Sequence, residues 1–246
     1  MNIGIKSIQH TSKYQKVIGY FHTMWNILKV RDFTIEAVHK KAVTPFIEKL
    51  HYSHYAGGIQ HRQCFALYSP DGKFGLPRMI GAAIYGQPAM PDTAKKYHPD
   101  NPTKCWELRR LCCIDDTPTN TESYFIGKTL RWLKQNTDAE VIISYSDLHQ
   151  GHEGTIYKAS NFINIGQSPA SKVLMVDGRE FHGRSMNNKH RPYGRALKRR
   201  WEAKKAGAKD DGIYYVDRKP KNIYVYYLNK KIKKKYLLQS NQKGVI

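Results

Sequence analysis

Acidic side chains are scarce in this chain of 246 residues: 20 Asp and Glu stand against 41 Lys and Arg, a formal net charge of +21. That deficit predicts a polyanionic partner, and nucleic acid is the usual one. An anionic membrane is the competing partner, but no amphipathic basic helix with a strong apolar face stands out. Long apolar runs are missing too. Residues 17–28 are fairly apolar, yet His22 and Asn26 interrupt them and no small-residue cleavage site follows, so a signal peptide is not expected. No stretch reaches the length of a membrane span, and a cytosolic location is the expectation.

Cysteine is sparse and unpatterned. Cys64, Cys105, Cys112 and Cys113 include no C-x-x-C pair, which excludes the usual zinc frameworks and points to buried free thiols in a reducing compartment. A glycine-rich dinucleotide loop is absent. Asn101-Pro102-Thr103-Lys104 lacks the second proline and the stacking aromatic of the Asn-Pro-Pro-aromatic motif, so methyl transfer from S-adenosylmethionine is excluded. With 40% hydrophobic residues, the chain has enough apolar surface for one large or one-and-a-half domains.

Residues 33–38 alternate and read as a strand. Thr44 as N-cap and Pro45 at the first helical position predict a helix with Phe46, Ile47 and Leu50 on its apolar face. His51-Tyr52-Ser53-His54-Tyr55 ends that helix and Gly57-Gly58 stops it, which puts polar aromatics at a helix end. Strands are expected over 63–68 and 78–85, joined by the Ser69-Pro70-Asp71-Gly72 turn. Residues 87–103, rich in Pro, Asp, Lys and His, read as a long functional loop or lid. A strand over 106–114 follows, on which Arg109 and Arg110 point to opposite faces by simple alternation. Thr119 and Glu122 have the spacing of a capping box for a helix to about 135, with Phe125, Ile126, Leu130 and Leu133 inward.

The densest polar cluster falls at residues 141–166. Val141, Ile142 and Ile143 are the apolar start of a buried strand, which turns polar at Ser144-Tyr145-Ser146-Asp147. A loop with His149, Gly151, His152 and Gly154 leads into a helix from Thr155 to Phe162, so Tyr157 can point back at the strand end that carries Asp147. A strand begins beyond Gly166, another spans 172–176, and Gly178 makes a turn. Polar clusters at the C-terminal ends of buried strands are where open α/β sheets place ligands, although ordinary strand-to-helix loops are polar as well. From residue 184 onward the chain holds 19 Lys and Arg against 4 Asp and Glu, a net +15. Tyr193, Trp201, Tyr214, Tyr215, Tyr224, Tyr226 and Tyr227 interleave with those cations, a pairing suited to phosphates and unpaired bases. Arg195, Lys198, Arg199, Arg200, Lys204 and Lys205 are the expected DNA contacts.

The segment from Ser144 to Phe162 resembles the signature of the Mom family of phage DNA-modification proteins. Further matches lie at His51-Tyr52-Ser53 and at Glu107-Leu108-Arg109-Arg110-Leu111, so the resemblance covers roughly residues 35–180. It implies a mixed central sheet flanked by helices, the acetyltransferase-like fold of the GNAT superfamily, here an α/β (α+β) domain over 31–183. A 1–30 extension would precede that domain, and a basic DNA-binding region over 184–246 would follow it.

The resemblance also implies a reaction: transfer of a carbamoylmethyl (acetamido-type) group to N6 of adenine in double-stranded DNA, shielding phage DNA in the host cytosol from restriction. His51, Tyr52, Asp147 and Tyr157 match the family's active-centre positions, and their imidazole, carboxylate and phenol groups suit non-haem iron. His54 and His149 are spare imidazoles, and Asp147 is a base for a weakly nucleophilic amine. Ser123 and Arg109 or Arg110 are the donor-binding groups. Where the GNAT pyrophosphate loop would carry glycines, this chain has Asp115-Asp116-Thr117-Pro118, whose carboxylates repel phosphate. Acetyl-CoA is therefore doubtful as donor, and the donor of the two-carbon unit stays open. An acyl-CoA-dependent N-acyltransferase and a non-enzymatic basic DNA-binding protein are the alternatives.

Overall fold

The structure is a computed structural model that describes residues 28–72, 74, 76–181, 186 and 192–242. Most of the expected 1–30 extension, and residues 184, 185, 187–191 and 243–246 of the basic region, lie outside the described residues. The chain forms two compact units. One comprises the described residues up to Ser144, together with Thr155–Ile163 and everything from Tyr224. The other comprises Tyr145–Gly154 and Asn164–Ile223. The division does not follow the boundary expected between 183 and 184: strands before it belong with the basic helix after it, and the end of the chain returns to the first unit.

The first unit is a sheet with helices. Its strands are β1 (Thr34–Val38), β2 (His61–Ser69), β3 (Arg78–Gly86), β4 (Cys105–Cys113), β5 (Val141–Asp147, which runs on into the second unit) and the later half of β10 (Lys221–Tyr227). They lie in the order β1-β2-β3-β4-β5-β10. β1 to β4 pair antiparallel, and β4 pairs parallel with β5. Val141, Ile142 and Ile143 are wholly buried, as a parallel strand covered on both faces requires. Helix α1 (Lys40–Leu50) sits on a cluster of Val43, Ile47, Cys64, Ala66, Ala82 and Ile84. Helix α3 (Thr121–Asn136) buries Phe125, Ile126, Leu130 and Leu133, the four positions its periodicity predicts, against Phe65, Tyr85, Trp106 and Ile142.

Three local expectations are corrected. First, α1 begins at Lys40, not at Thr44: the His39 ring accepts the Lys41 N–H as cap, and Pro45 lies inside the helix. Second, residues 87–103 are not a lid. They form α2 (Pro91–Tyr97) and a short 3-10 turn, with Tyr97 and His98 buried and His98 Nε2 2.7 Å from the Glu140 carboxylate. Third, the capping box at Thr119 does not form. Asn120 is the N-cap with positive φ, and the Thr121 hydroxyl donates to the Pro118 carbonyl instead.

In the second unit, β7 (Ser171–Val176) is the middle strand of an antiparallel sheet with β8 (Arg179–Phe181) and β9 (Ile213–Arg218). Helix α5 (Pro192–Lys205) packs Leu197 against Leu174, Val176 and Ile213. Strand β6 (Ile163–Gln167) neighbours β10, where the Ser168 N–H donates to the Lys221 carbonyl. The short helix α4 (Thr155–Ala159) belongs to the first unit, and α6 (Lys230–Gln242) closes the described chain there.

Candidate active site

The first unit's polar cluster sits where the β4–β5 ladder stops. The two strands pair only from Cys105 with Val141 to Glu107 with Ile143. Beyond that point the Ser144 hydroxyl donates to the Leu108 carbonyl, which the ladder leaves unused. Ser144 also lies beside the phenol of Tyr157. Burial pushes that phenol up to about 12, Ser144 opposing and the nearby Tyr52 and Glu107 adding to the rise. Tyr157 is therefore protonated at neutral pH and able to donate a hydrogen bond. Its ring is clasped by Phe162 and Tyr224, at centroid distances of 5.5 and 5.0 Å, so its direction is fixed.

A β-bulge shapes the other side. The β3–β4 register skips from Ile84 opposite Arg110 to Tyr85 opposite Leu108, which leaves Arg109 as the extra residue. The expected alternation of Arg109 and Arg110 is thus broken, as a bulge does when it re-aims a side chain. Arg109 Nε lies 3.5 Å from the Glu107 carboxylate, and Arg109 Nη1 donates to the Gln87 carbonyl at 3.0 Å. Arg110 Nε donates to the Tyr55 carbonyl and Nη1 to its neighbour's carbonyl. Burial lowers the Arg110 pKa; Tyr52, Glu107 and Tyr55 are near enough to counter this in part, while Arg109 adds to it. Glu107 is buried, and its Oε2 accepts the Ala89 N–H at 3.0 Å.

His51 and Tyr52 come from the end of α1 and their rings stack, with centroids 4.3 Å apart. His51 Nδ1 accepts the Ser53 N–H at 3.1 Å, which puts the ring proton of the neutral form on Nε2. His54 is not on the helix face of His51. It has a φ of 44°, and its Nδ1 donates to the Glu48 carbonyl at 3.0 Å. The Ser123 hydroxyl donates to the Asn120 carbonyl, while Asp115 and Asp116 are exposed.

Asp147 belongs to the second unit and is far from an unengaged base there. Its Oδ2 lies 2.6 Å from Arg218 Nη2 and 3.2 Å from Lys221 Nζ, and its Oδ1 accepts the His149 N–H. Burial pushes the carboxyl up, but Lys221 and Arg218 together outweigh it and hold the group below the ordinary carboxylate range. Arg218 Nη1 also reaches Glu180 at 3.1 Å. Two of the basic residues expected to touch DNA have partners inside this unit. Arg200 is gripped by Asp177 and Asp210, and Lys204 donates to the Asp210 and Ile213 carbonyls at 2.7 Å. Both fasten α5 to its sheet. Arg195, Lys198, Arg199 and Lys205 stay exposed on the helix.

The proposed iron ligands do not fit iron in this arrangement. Both oxygens of Asp147 are taken by cations and an N–H, which leaves the set without an open carboxylate. Among the described residues no three His, Cys, Asp or Glu side chains gather as a metal requires. The four described cysteines are free thiols, and burial raises Cys64 to about 11 and Cys105 and Cys112 to about 12. They are inert at neutral pH, as expected.

Residue reasoning passed over Glu107, Ser144, Arg218 and Lys221. A lone glutamate in the strand Cys105–Cys113 was a signal for the first, because an acidic residue in such a strand has to find a partner. Nothing local marks Arg218, which lies 71 residues from Asp147.

A profile of the Mom protein family matches residues 32–243. The chain is 26% identical over 159 residues to the methylcarbamoylase Mom of Escherichia phage Mu; the match covers 64% of this chain and 63% of that protein, just under two thirds of its length. Solved structures are more distant. A spermidine/spermine N-acetyltransferase from Vibrio cholerae is 9% identical, covers 83% of this chain and 98% of its own, and superposes with a TM-score of 0.43. An N-acetyltransferase from Staphylococcus aureus is 9% identical, covers 80% of this chain and 97% of its own, and gives 0.40. At such scores the likeness bears on neither substrate nor cofactor.

Proposed function

The chain belongs to the Mom protein family, and from that premise we propose that it is a transferase that places a carbamoylmethyl (acetamido-type) group on N6 of adenine in DNA. The relative's name, a methylcarbamoylase, supports a group transfer of this kind, and the net charge of +21 supports a polyanionic substrate. The observation that carries the reading is the buried Glu107–Ser144–Tyr157 cluster at the end of the β4–β5 ladder, with Arg109 and Arg110 beside it.

N6 is walled in by stacking and pairing inside a duplex, so the adenine must leave the stack to react. Its lone pair is delocalised into the ring, which makes the amine a weak nucleophile. As the bond from N6 to the donor's carbon forms, an N6 proton is lost and the bond from that carbon to the rest of the donor breaks. In this reading Glu107 takes the proton. Tyr157, held as a phenol, donates to the group that departs with its electron pair. Asp147, already neutralised by Arg218 and Lys221, positions those cations and does not act as the base. Arg195, Lys198, Arg199 and Lys205 supply phosphate contacts.

Nucleoside mass spectrometry of plasmid co-expressed with the protein tests this reading. A new adenine-derived nucleoside bearing the added group is expected. Unmodified adenine in plasmid from cells containing folded protein refutes it.

A further inference from the structure

The loop after α1 holds a tyrosine whose exposure the fold does not need. Tyr55 is 49% exposed, yet its backbone is pinned from both sides. The next residue, Ala56, is wholly buried with Val43 and Ile47, and its N–H donates to the Glu48 carboxylate at 3.4 Å. Ile59 is buried in the same cluster, and Arg110 Nε donates to the Tyr55 carbonyl at 3.1 Å. A large ring on a loop fixed this firmly is presented to solvent, and the backbone that carries it is already ordered.

The ring lies against bare backbone. A Cβ at Gly57 would come within 2.8–2.9 Å of its Cε2, Cζ and hydroxyl, and one at Gly58 within 3.1 Å of the hydroxyl. A side chain at 57 would push the ring from this position, so part of its surface is backed by the glycine and the exposed part faces solvent. The Arg110 guanidinium is close enough to feel the phenols of both Tyr55 and Tyr52, and Tyr52 is close enough to be felt at Tyr157. A rigid aromatic and a guanidinium beside a reactive cluster form a seat for a flat, electron-rich ring with polar edges.

We propose that Tyr55, backed by Gly57 and flanked by Arg110, is the stacking seat that receives the unpaired purine of the DNA substrate. The proposal rests on the adenine-modification reading for the identity of the base, while the seat itself is a property of Tyr55, Gly57 and Arg110. Stacking on an aromatic side chain is sequence-tolerant and strong enough to shift affinity roughly tenfold per base.

The test uses the full chain and a short single strand carrying one 2-aminopurine, compared with the same strand carrying an abasic site there. Wild type should bind the base-bearing strand roughly tenfold more tightly and quench 2-aminopurine. Tyr55→Phe keeps the ring and should keep both properties. Tyr55→Ala should bind the two strands equally and leave 2-aminopurine bright. Gly57→Ala retains the tyrosine but displaces its ring, and should resemble Tyr55→Ala at an unchanged melting temperature. Equal discrimination by wild type and folded Tyr55→Ala overturns the seat, and so does a Tyr55→Phe that loses it. Nucleoside analysis separates the two ideas. If wild type discriminates through Tyr55 but leaves plasmid adenine unmodified, the reaction assignment fails and the seat stands. If adenine is modified and Tyr55→Ala discriminates like wild type, the reverse holds.

Discussion

In the proposed reaction, the roles of Tyr157 and Glu107 turn on which group keeps its proton. Burial holds Tyr157 as a phenol, its pKa pushed up to about 12, while the Glu107 carboxylate is placed by the Ala89 N–H and Arg109. Tyr157→Phe removes one hydroxyl and leaves the ring packed against Phe162 and Tyr224, and Glu107→Gln removes the basic oxygen at nearly constant volume. Each should cut modification by about a hundredfold or more while duplex affinity stays near wild type; a folded Glu107→Gln enzyme with full activity would remove Glu107 from the mechanism. Asp147 has a different role. Its folded pKa lies below the unfolded one, so its stabilising contribution is complete above the ordinary carboxylate range and fades as the pH falls through the lower folded value. Asp147→Asn should therefore be less stable than wild type at neutral pH, by about 3 kcal/mol or more, with the gap closing in acid. Denaturant titrations at several pH values read this directly, and a gap independent of pH would contradict the ion-pair role.

At the level of elements, the bulge in β4 and the staple on α5 act in opposite ways. The bulge at Arg109 gathers charged groups around Glu107 on a strand whose alternation would otherwise separate them. The staple withdraws charged groups from solution. Arg200 with Asp177 and Asp210, and Lys204 with two carbonyls, hold α5 on β7 and the turn before β9. Gly212 leaves room for this staple, since a Cβ there would push against the Arg200 and Asp177 side chains. The helix thus divides its cations by face. Arg200→Ala should lower the melting temperature and barely change DNA affinity below it. The Arg195→Ala, Lys198→Ala, Arg199→Ala triple variant should do the reverse, and filter binding alongside thermal melts distinguishes them. Equal affinity losses in both would return Arg200 to the DNA-contact set.

For the whole molecule, the excess of positive charge sets how it meets a polyanion. Each phosphate neutralised releases counterions, so affinity for duplex DNA should fall by about a hundredfold or more between low and physiological salt. Anisotropy titrations at several salt concentrations measure the slope, and a nearly flat dependence would sink the nucleic-acid assignment. Among the described residues no helix is long and apolar enough to cross a membrane. The lysines at 230, 231, 233 and 234 stay exposed on α6, and Lys235 pairs with Asp100 at 2.5 Å. The positive surface therefore includes the first unit as well as α5.

Periodicity and composition alone determined much of this protein. The burial of α3's four apolar positions, the buried β5 and the surplus of cations all follow from residues that are neighbours in the chain, because a helix or strand repeats its contacts every few positions. Tertiary structure decided what each polar residue does. Asp147 looks like a base at a strand end until Arg218 and Lys221 arrive from far along the chain to neutralise it. Arg109 and Arg110 look divided by alternation until a register shift against β3 inserts one residue. Glu107 shows its place only when β5 pairs beside it and then stops. Electrostatic interactions depend on distance in space, and the residues that meet at these points are tens of positions apart, where no local pattern reaches.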